Sequence, residues 1–217
     1  ALTAAGAVIA AIDSVMSGEA SNAFCAIRPP GHHAEPSRGM GFCLFNNVAV
    51  GAAHARQNHG INHVAVVDFD VHHGNGTQAA FWSDPNVMVA SSHEYPFYPG
   101  TGAQEERGVG NIFNIPLASM SGSEEFRQGF EKVVFPALKE FQPGLIIISA
   151  GFDAHARDPL ANIRLQDEDF EWITNKLLDI AGEHSEGRIV SSLEGGYDLD
   201  ALASSVTAHV TALKSSG

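Results

Sequence analysis

Positive charge is scarce in this chain. Lys and Arg total 12 against 25 Asp and Glu, a formal net charge of −13. That balance argues against general affinity for nucleic-acid phosphates or anionic lipid, and leaves a basic peptide open as a partner. Cysteine is nearly absent: Cys25 and Cys43 are too few for a disulfide scaffold, so free thiols in a reducing compartment, the cytoplasm, are expected. No run approaches the roughly 18 apolar residues of a membrane span. The Ala-rich start, Ala1 to Ile12, has no basic stretch ahead of it and is not read as a signal peptide. An initiator Met is also missing, so the chain is expected to begin inside a domain. Internal repeats, linkers and low-complexity tracts are lacking, which predicts one domain over residues 1–217.

What is present is the material of a packed core. Apolar residues make up 44% and charged ones 17%, which excludes a disordered chain. Helical patterns over Ala1–Met16, Asn46–Gln57, Thr77–Trp82, Glu124–Phe141, Asp167–Glu183 and Asp198–Leu213 alternate with short apolar runs over Asn22–Ile27, Val64–Val67, Val87–Ser91, Ile112–Ile115, Leu145–Ser149 and Ile189–Leu193. That alternation predicts a mostly parallel sheet covered on both faces, an α/β/α three-layer fold. Tandem prolines at Pro29-Pro30 end the first strand. A long Gly- and Pro-bearing loop from about His93 to Gly110 is expected to be functional. Glu19, Glu35 and the Gln104-Glu-Glu-Arg107 run read as solvated surface.

One stretch organises the rest: Val64-Ala-Val-Val-Asp68-Phe-Asp70-Val-His72-His73-Gly-Asn75. A β-branched strand ends in groups that a strand interior would not tolerate. Period-two alternation sends Asp68, Asp70 and His72 the same way. Two carboxylates and an imidazole leaving one strand end are costly unless a cation neutralises them. The alternative is a polar strand end solvated in a loop. In parallel sheets the working site lies beyond the carboxyl ends of the strands. The unusual polar groups follow Ile27, Val67, Ser149 and Leu193, all strand ends.

Asp70, His72 and Asp153 thus form a candidate metal triad, with Asp153 otherwise a helix N-cap. Three protein ligands with an open position are the mark of catalytic zinc, and oxygen-rich ligation also suits Fe(II) or Mn(II). Asp68 reads as a supporting group that holds a histidine tautomer or shares a monovalent ion. His32 and His33 are either loop residues or proton shuttles, with Asp68 and Asn75 as available orienting partners. Tyr197, after two glycines, either packs under its loop or donates to an oxyanion. Gly41-Phe42 and Phe97-Tyr98 put aromatics on two loops at the same end, where facing rings would make a slot for a methylene chain.

These segments resemble the zinc-dependent histone deacetylase family, in its class II branch, and bacterial histone deacetylase-like amidohydrolases. The matching stretches are Arg28-Pro-Pro-Gly-His-His-Ala34, Gly39-Met-Gly-Phe-Cys43, Val67-Asp-Phe-Asp-Val-His-His-Gly-Asn-Gly-Thr-Gln78, Tyr98-Pro-Gly-Thr-Gly102, Ser149-Ala-Gly-Phe-Asp-Ala154, Asp158-Pro-Leu160 and Leu193-Glu-Gly-Gly-Tyr197. The resemblance implies an arginase/deacetylase-like fold and hydrolysis of the acetyl amide of acetyl-lysine. It implies Asp70, His72 and Asp153 as zinc ligands, His32 paired with Asp68, and His33 paired with Asn75 as the main general base and acid. Tyr197 would polarise the acetyl carbonyl. Phe42 and Tyr98 would wall a lysine tunnel, and the Gly41 carbonyl would accept the substrate amide. One potassium ion would be held by Asp68, Asp70 and His72 with Ser91 and Ser92, and a second near Phe81, Asp84, Val87 and Asn111. Asn75 stands where class I members carry Asp. Tyr98 stands where many members carry Phe.

Family members carry a further stretch of catalytic domain ahead of this start, so an N-terminally shortened member or a fragment is expected. The rival readings are an acetylpolyamine amidohydrolase and an inactive acetyl-lysine-binding fragment. Polyamine-selective relatives place Glu where Leu160 stands, so Leu160 favours acetyl-lysine peptides or small acetylated amines. A two-metal ureohydrolase would need a carboxylate at Gly151.

Overall fold

The structure is a computed structural model that describes residues 1–215. In chain order it runs α1 (Leu2–Met16), β1 (Asn22–Cys25), α2 (Asn47–His59), β2 (Val64–Asp68), α3 (Asn75–Phe81), β3 (Val87–Glu94) and β4 (Ile112–Leu117). Then come α4 (Ser123–Gly129), a π-helical turn (Phe130–Val134), α5 (Phe135–Phe141), β5 (Leu145–Ala150), α6 (Asp167–His184), β6 (Ile189–Leu193) and α7 (Leu199–Ser215). The strands form one sheet in the order β1-β6-β5-β2-β3-β4. Every pairing is parallel.

The strand sequences explain why both faces are covered. Val64 and Val66 of β2, with Leu145 and Ile147 of β5, pack against Val8 and Ile12 of α1 and Val48 and Ala52 of α2. Their alternates Ala65, Val67, Ile146 and Ile148 meet Phe126, Phe130, Leu138, Phe170, Ile173 and Leu177 on the other side. Period-two alternation therefore feeds two separate cores from one apolar run, the reason such strands read as continuous hydrophobics. This is the three-layer α/β/α arrangement that the alternation of elements predicts.

Several boundaries differ from the sequence expectation. β1 stops at Cys25, short of Ile27. β3 continues to Glu94 and β4 to Leu117, because the polar end of β3 pairs with Ile115-Pro116-Leu117 of β4 as well. The single helix expected over Glu124–Phe141 contains the π turn, in which Phe135 N donates to Phe130 O. Pro136 has no N–H for the preceding turn and its ring crowds the carbonyl four residues back, which accounts for the widened turn just ahead of it.

His209 of α7 is fully buried between Thr174 Oγ1 at 2.6 Å and Ser191 Oγ at 2.8 Å. Burial lowers its pKa to about 3. An unfolded histidine titrates near 6.5, so between those values the unfolded chain binds a proton that the folded chain refuses. The contribution is fully present above about pH 6.5 and is lost as pH falls, at up to about 1.4 kcal/mol per pH unit. His209→Gln should flatten the acid side of a plot of unfolding free energy against pH by that slope. Denaturant titrations at a series of pH values check it, and an unchanged slope would refute the assignment.

Candidate active site

The sheet order places β2 between β3 and β5, with its sequence neighbour β3 on one side only. The crevice beyond the carboxyl ends of β2 and β5 is where such a sheet can hold a ligand. The chain fills it with acid and imidazole. β2 ends at Asp68, so Asp70 and His72 lie beyond the ladder, and strand alternation is not what aims them. Asx-type turns do that work: Asp68 Oδ1 accepts from Asp70 N at 3.0 Å, and Asp70 Oδ1 accepts from His72 N at 2.9 Å. Asp153 follows β5 in the neighbouring loop.

Asp70, His72 and Asp153 come together with one ligand atom of each within 4.8 Å of the others. His72 Nδ1 lies 3.1 Å from both Asp70 Oδ1 and Asp153 Oδ2. Backbone amides hold the remaining carboxylate oxygens: Gly195 N donates to Asp70 Oδ2 at 2.8 Å, and Val71 N to Asp153 Oδ1 at 2.9 Å. Each carboxylate is thereby rotated so that one oxygen is fixed and the other faces the cluster centre. The backbone must approach closely to do this. A Cβ on Gly151 would lie 2.1 Å from Asp70 Oδ2, and one on Gly195 would lie 2.2 Å from Asp153 Oδ2.

The electrostatics of this pocket call for a cation. Burial pushes Asp153 up to about 6, and the Asp70 charge beside it adds to that. Burial also opposes charge on His72, yet the hydrogen bonds that its ring donates to Asp153 and Asp70 outweigh it and lift the ring to about 10. A positive charge among the three groups is what makes two buried carboxylates tolerable.

His32 and His33 stand over this cluster with ring centroids 4.1 Å apart. His32 Nδ1 is 2.9 Å from Asp68 Oδ2, and His33 Nδ1 is 2.8 Å from Asn75 Oδ1. These small differences in partner give the rings opposite character. Burial disfavours charge on His32, but Asp68, Asp70 and Glu194 together raise its pKa well above the usual value. His33 has a neutral amide as partner. Burial and the neighbouring His32 lower it to about 3. With Nδ1–H donated to Asn75, its Nε2 is left with the lone pair.

Tyr197 is half-buried, and Arg28 lies 5.9 Å from its ring centre. Burial, with the Asp153 and Asp70 charges behind it, raises the phenol pKa, so the hydroxyl keeps its proton. Tyr98 packs edge-on to His33 at 5.1 Å, while Phe97 stacks on His72 at 5.8 Å. Phe42 is 73% exposed and 6.2 Å from the Tyr197 ring. Gly41 lies against the His33 ring, and its carbonyl accepts from Cys43 Sγ at 3.3 Å. Leu160 is exposed at the same end, its N–H held by Asp158 Oδ1 at 3.0 Å.

The residues named for potassium divide. Ser91 Oγ pairs with His93 Nδ1 at 3.0 Å, whereas Ser92 Oγ is buried with no hydrogen-bond partner. Phe81, Asp84, Val87 and Asn111 do converge. Asn111 Nδ2, however, lies 2.9, 3.0 and 2.8 Å from the carbonyls of Phe81, Asp84 and Val87. An amide nitrogen has two hydrogens, so it cannot satisfy all three carbonyls at once.

Four acidic residues outside the predicted set support the site. Glu194 is fully buried and accepts from Gly31 N at 2.6 Å, His32 N at 3.1 Å and Ser149 Oγ at 3.1 Å, so it pins the histidine loop to β5. Asp158 Oδ2 accepts from Tyr197 N at 2.7 Å. Glu35, expected as solvated surface, accepts from Asn75 Nδ2 at 2.8 Å and sets which way that amide faces His33. Glu106, from the other run expected to be solvated, accepts from Gly102 N at 3.0 Å, Ala103 N at 3.1 Å and Gln78 Nε2 at 2.6 Å, fastening the loop that carries Tyr98. The signal for Glu194 was its place directly after a buried strand. Glu35 and Glu106 sit among polar loop residues and have no such signal.

Comparison with known proteins places this geometry in context. A family model described as the histone deacetylase domain matches residues 1–213. The chain is 43% identical over 221 residues to the chloroplastic histone deacetylase 14 of Arabidopsis thaliana, covering 98% of this chain and 52% of that protein. It is 45% identical over 198 residues to the histone deacetylase-like amidohydrolase of Pseudomonas aeruginosa, covering 89% and 52%. The crystal structure of the HDA15 HD domain superposes with a TM-score of 0.92 at 39% identity, over 97% of this chain and 60% of that one. The chain spans about half the length of these curated relatives.

Proposed function

The chain belongs to the histone deacetylase family, and from that premise we propose that it carries the centre of a zinc-dependent deacetylase acting on acetylated lysine side chains. The observation that carries the reading is the convergence of Asp70, His72 and Asp153 on one point, beneath a neutral His33 and a protonated Tyr197. The donor set fits zinc. Two carboxylate oxygens and one imidazole nitrogen, each oriented by a second hydrogen bond or turn, are a three-ligand site with room for substrate. Bound there, zinc would supply Lewis-acid polarisation of the amide carbonyl and an activated water near neutral pH. The buried, unpartnered Ser92 Oγ supports one potassium ion near β3. A second would sit where the carbonyls of Phe81, Asp84 and Val87 converge beside Asn111.

The chain's own groups then divide the work. His33 Nε2 takes a proton from the attacking water, because its Nδ1 is committed to Asn75. The Tyr197 hydroxyl donates to the oxygen on which negative charge develops. His33 returns its proton to the leaving nitrogen as the C–N bond breaks, giving acetate and the free lysine amine. His32, already charged against Asp68, is unsuited to accept that proton and holds positive potential behind the centre. Phe42 and Tyr98 flank the approach as apolar walls for a methylene chain. Leu160 supplies no carboxylate for a second cation, which supports acetyl-lysine over acetylpolyamines.

The test is hydrolysis of an acetyl-lysine peptide by the zinc-loaded chain, with acetylputrescine as comparator. Acetate release should stop on chelation and return with added zinc. Bound zinc without acetate release would reduce the chain to an acetyl-lysine-binding fragment. Faster release from acetylputrescine would reassign the substrate.

A further inference from the structure

A second convergence of metal-ligating side chains lies on the outer surface of the α1–α2 layer. Asp13 projects from the last turn of α1, and His54 and His59 from the last two turns of α2. His54 Nε2 is 2.6 Å and His59 Nε2 is 2.7 Å from the same oxygen, Asp13 Oδ1. The two rings meet edge to face with centroids 5.3 Å apart. One ligand atom of each residue falls within 4.8 Å of the others. We propose that Asp13, His54 and His59 form a surface site for a late first-row divalent cation, zinc in the first instance, clamping α1 to α2.

Five observations support a cation here. The donors are two imidazole nitrogens and one carboxylate oxygen, the set that suits zinc, copper and nickel rather than magnesium or calcium. Ligands on tetrahedral zinc lie roughly 3.3 Å apart, so from 2.6 and 2.7 Å the side chains need open by only about 0.6–0.7 Å. Both helices end at the cluster, and the C-terminal ends of their dipoles favour positive charge. Arg56, which lies between the two histidines in sequence, is engaged by Asp84 and does not compete for Asp13. The His54 and His59 side chains are 15% and 25% exposed, which leaves the outer face open to water as a further ligand. The site shares no residue with the Asp70 cluster.

Equilibrium dialysis of the whole chain against free Zn2+, slightly above neutral pH, tests it. Wild type should bind one more zinc per chain than the His54→Gln/His59→Gln variant. Glutamine keeps a hydrogen bond to Asp13 and removes the imidazole. Because the result is a difference, occupancy of the Asp70 cluster cancels, and failure of the deacetylase reading would show separately as no zinc on the double variant. Zinc should also raise the melting temperature of wild type more than that of the double variant. Asp13→Asn should weaken the extra zinc at least tenfold and guards against a folding defect in the double variant. Equal stoichiometry in wild type and the double variant would overturn the proposal.

Discussion

Tyr197→Phe should lower kcat on an acetyl-lysine peptide by about 10²–10³, the scale of one lost oxyanion donor, with KM little changed. The surroundings of the phenol suit the proposed role. Its backbone N–H is fixed by Asp158, its ring is backed by Arg28, and burial keeps its proton in place. A donor whose bond strengthens only as charge develops on the substrate oxygen acts on turnover and not on binding. Phenylalanine preserves the ring and its packing, so the change is confined to the hydroxyl. Steady-state kinetics at fixed zinc content separate the outcomes. Unchanged turnover would remove Tyr197 from the chemistry, and a rise in KM alone would make it a binding residue.

His33→Ala should cost about 10²–10⁴ in kcat, the range of a lost general base, with zinc stoichiometry retained. The two adjacent rings differ in their partners. His32 and His33 share a loop and touch, yet one faces a carboxylate and the other an amide. The carboxylate raises the pKa of His32 and favours its charged form, so His33 is the better placed to accept a proton over the cluster. Metal analysis of the variant is the control. Loss of zinc together with activity would mean that His33 supports the site structurally. Full activity with zinc retained would move the base elsewhere.

The smaller effects, on the acid slope set by His209 and on zinc at the α1–α2 surface, test the same logic away from the centre. In each case a buried or shared partner determines what an imidazole does.

Local chemistry made much of this legible from the amino-acid order. Val64-Ala-Val-Val and Leu145-Ile-Ile-Ile have no polar residue to expose, so both had to be strands buried on two faces, and their alternation with helices required a parallel sheet. Asp70, His72 and Asp153 stood out because ionisable groups directly after such strands are costly without a counter-charge. Tertiary structure decided the rest. Only the fold shows that β2 stops at Asp68 and that turns aim Asp70 and His72. Only the fold distinguishes Glu35 and Glu106 from solvated loop acids, because the partners that occupy them are brought from distant segments. Asp13 is 41 residues from His54, and no period or motif connects them. Composition and periodicity report which groups avoid water. Which charges meet depends on how the layers stack, and that is a property of the packed chain.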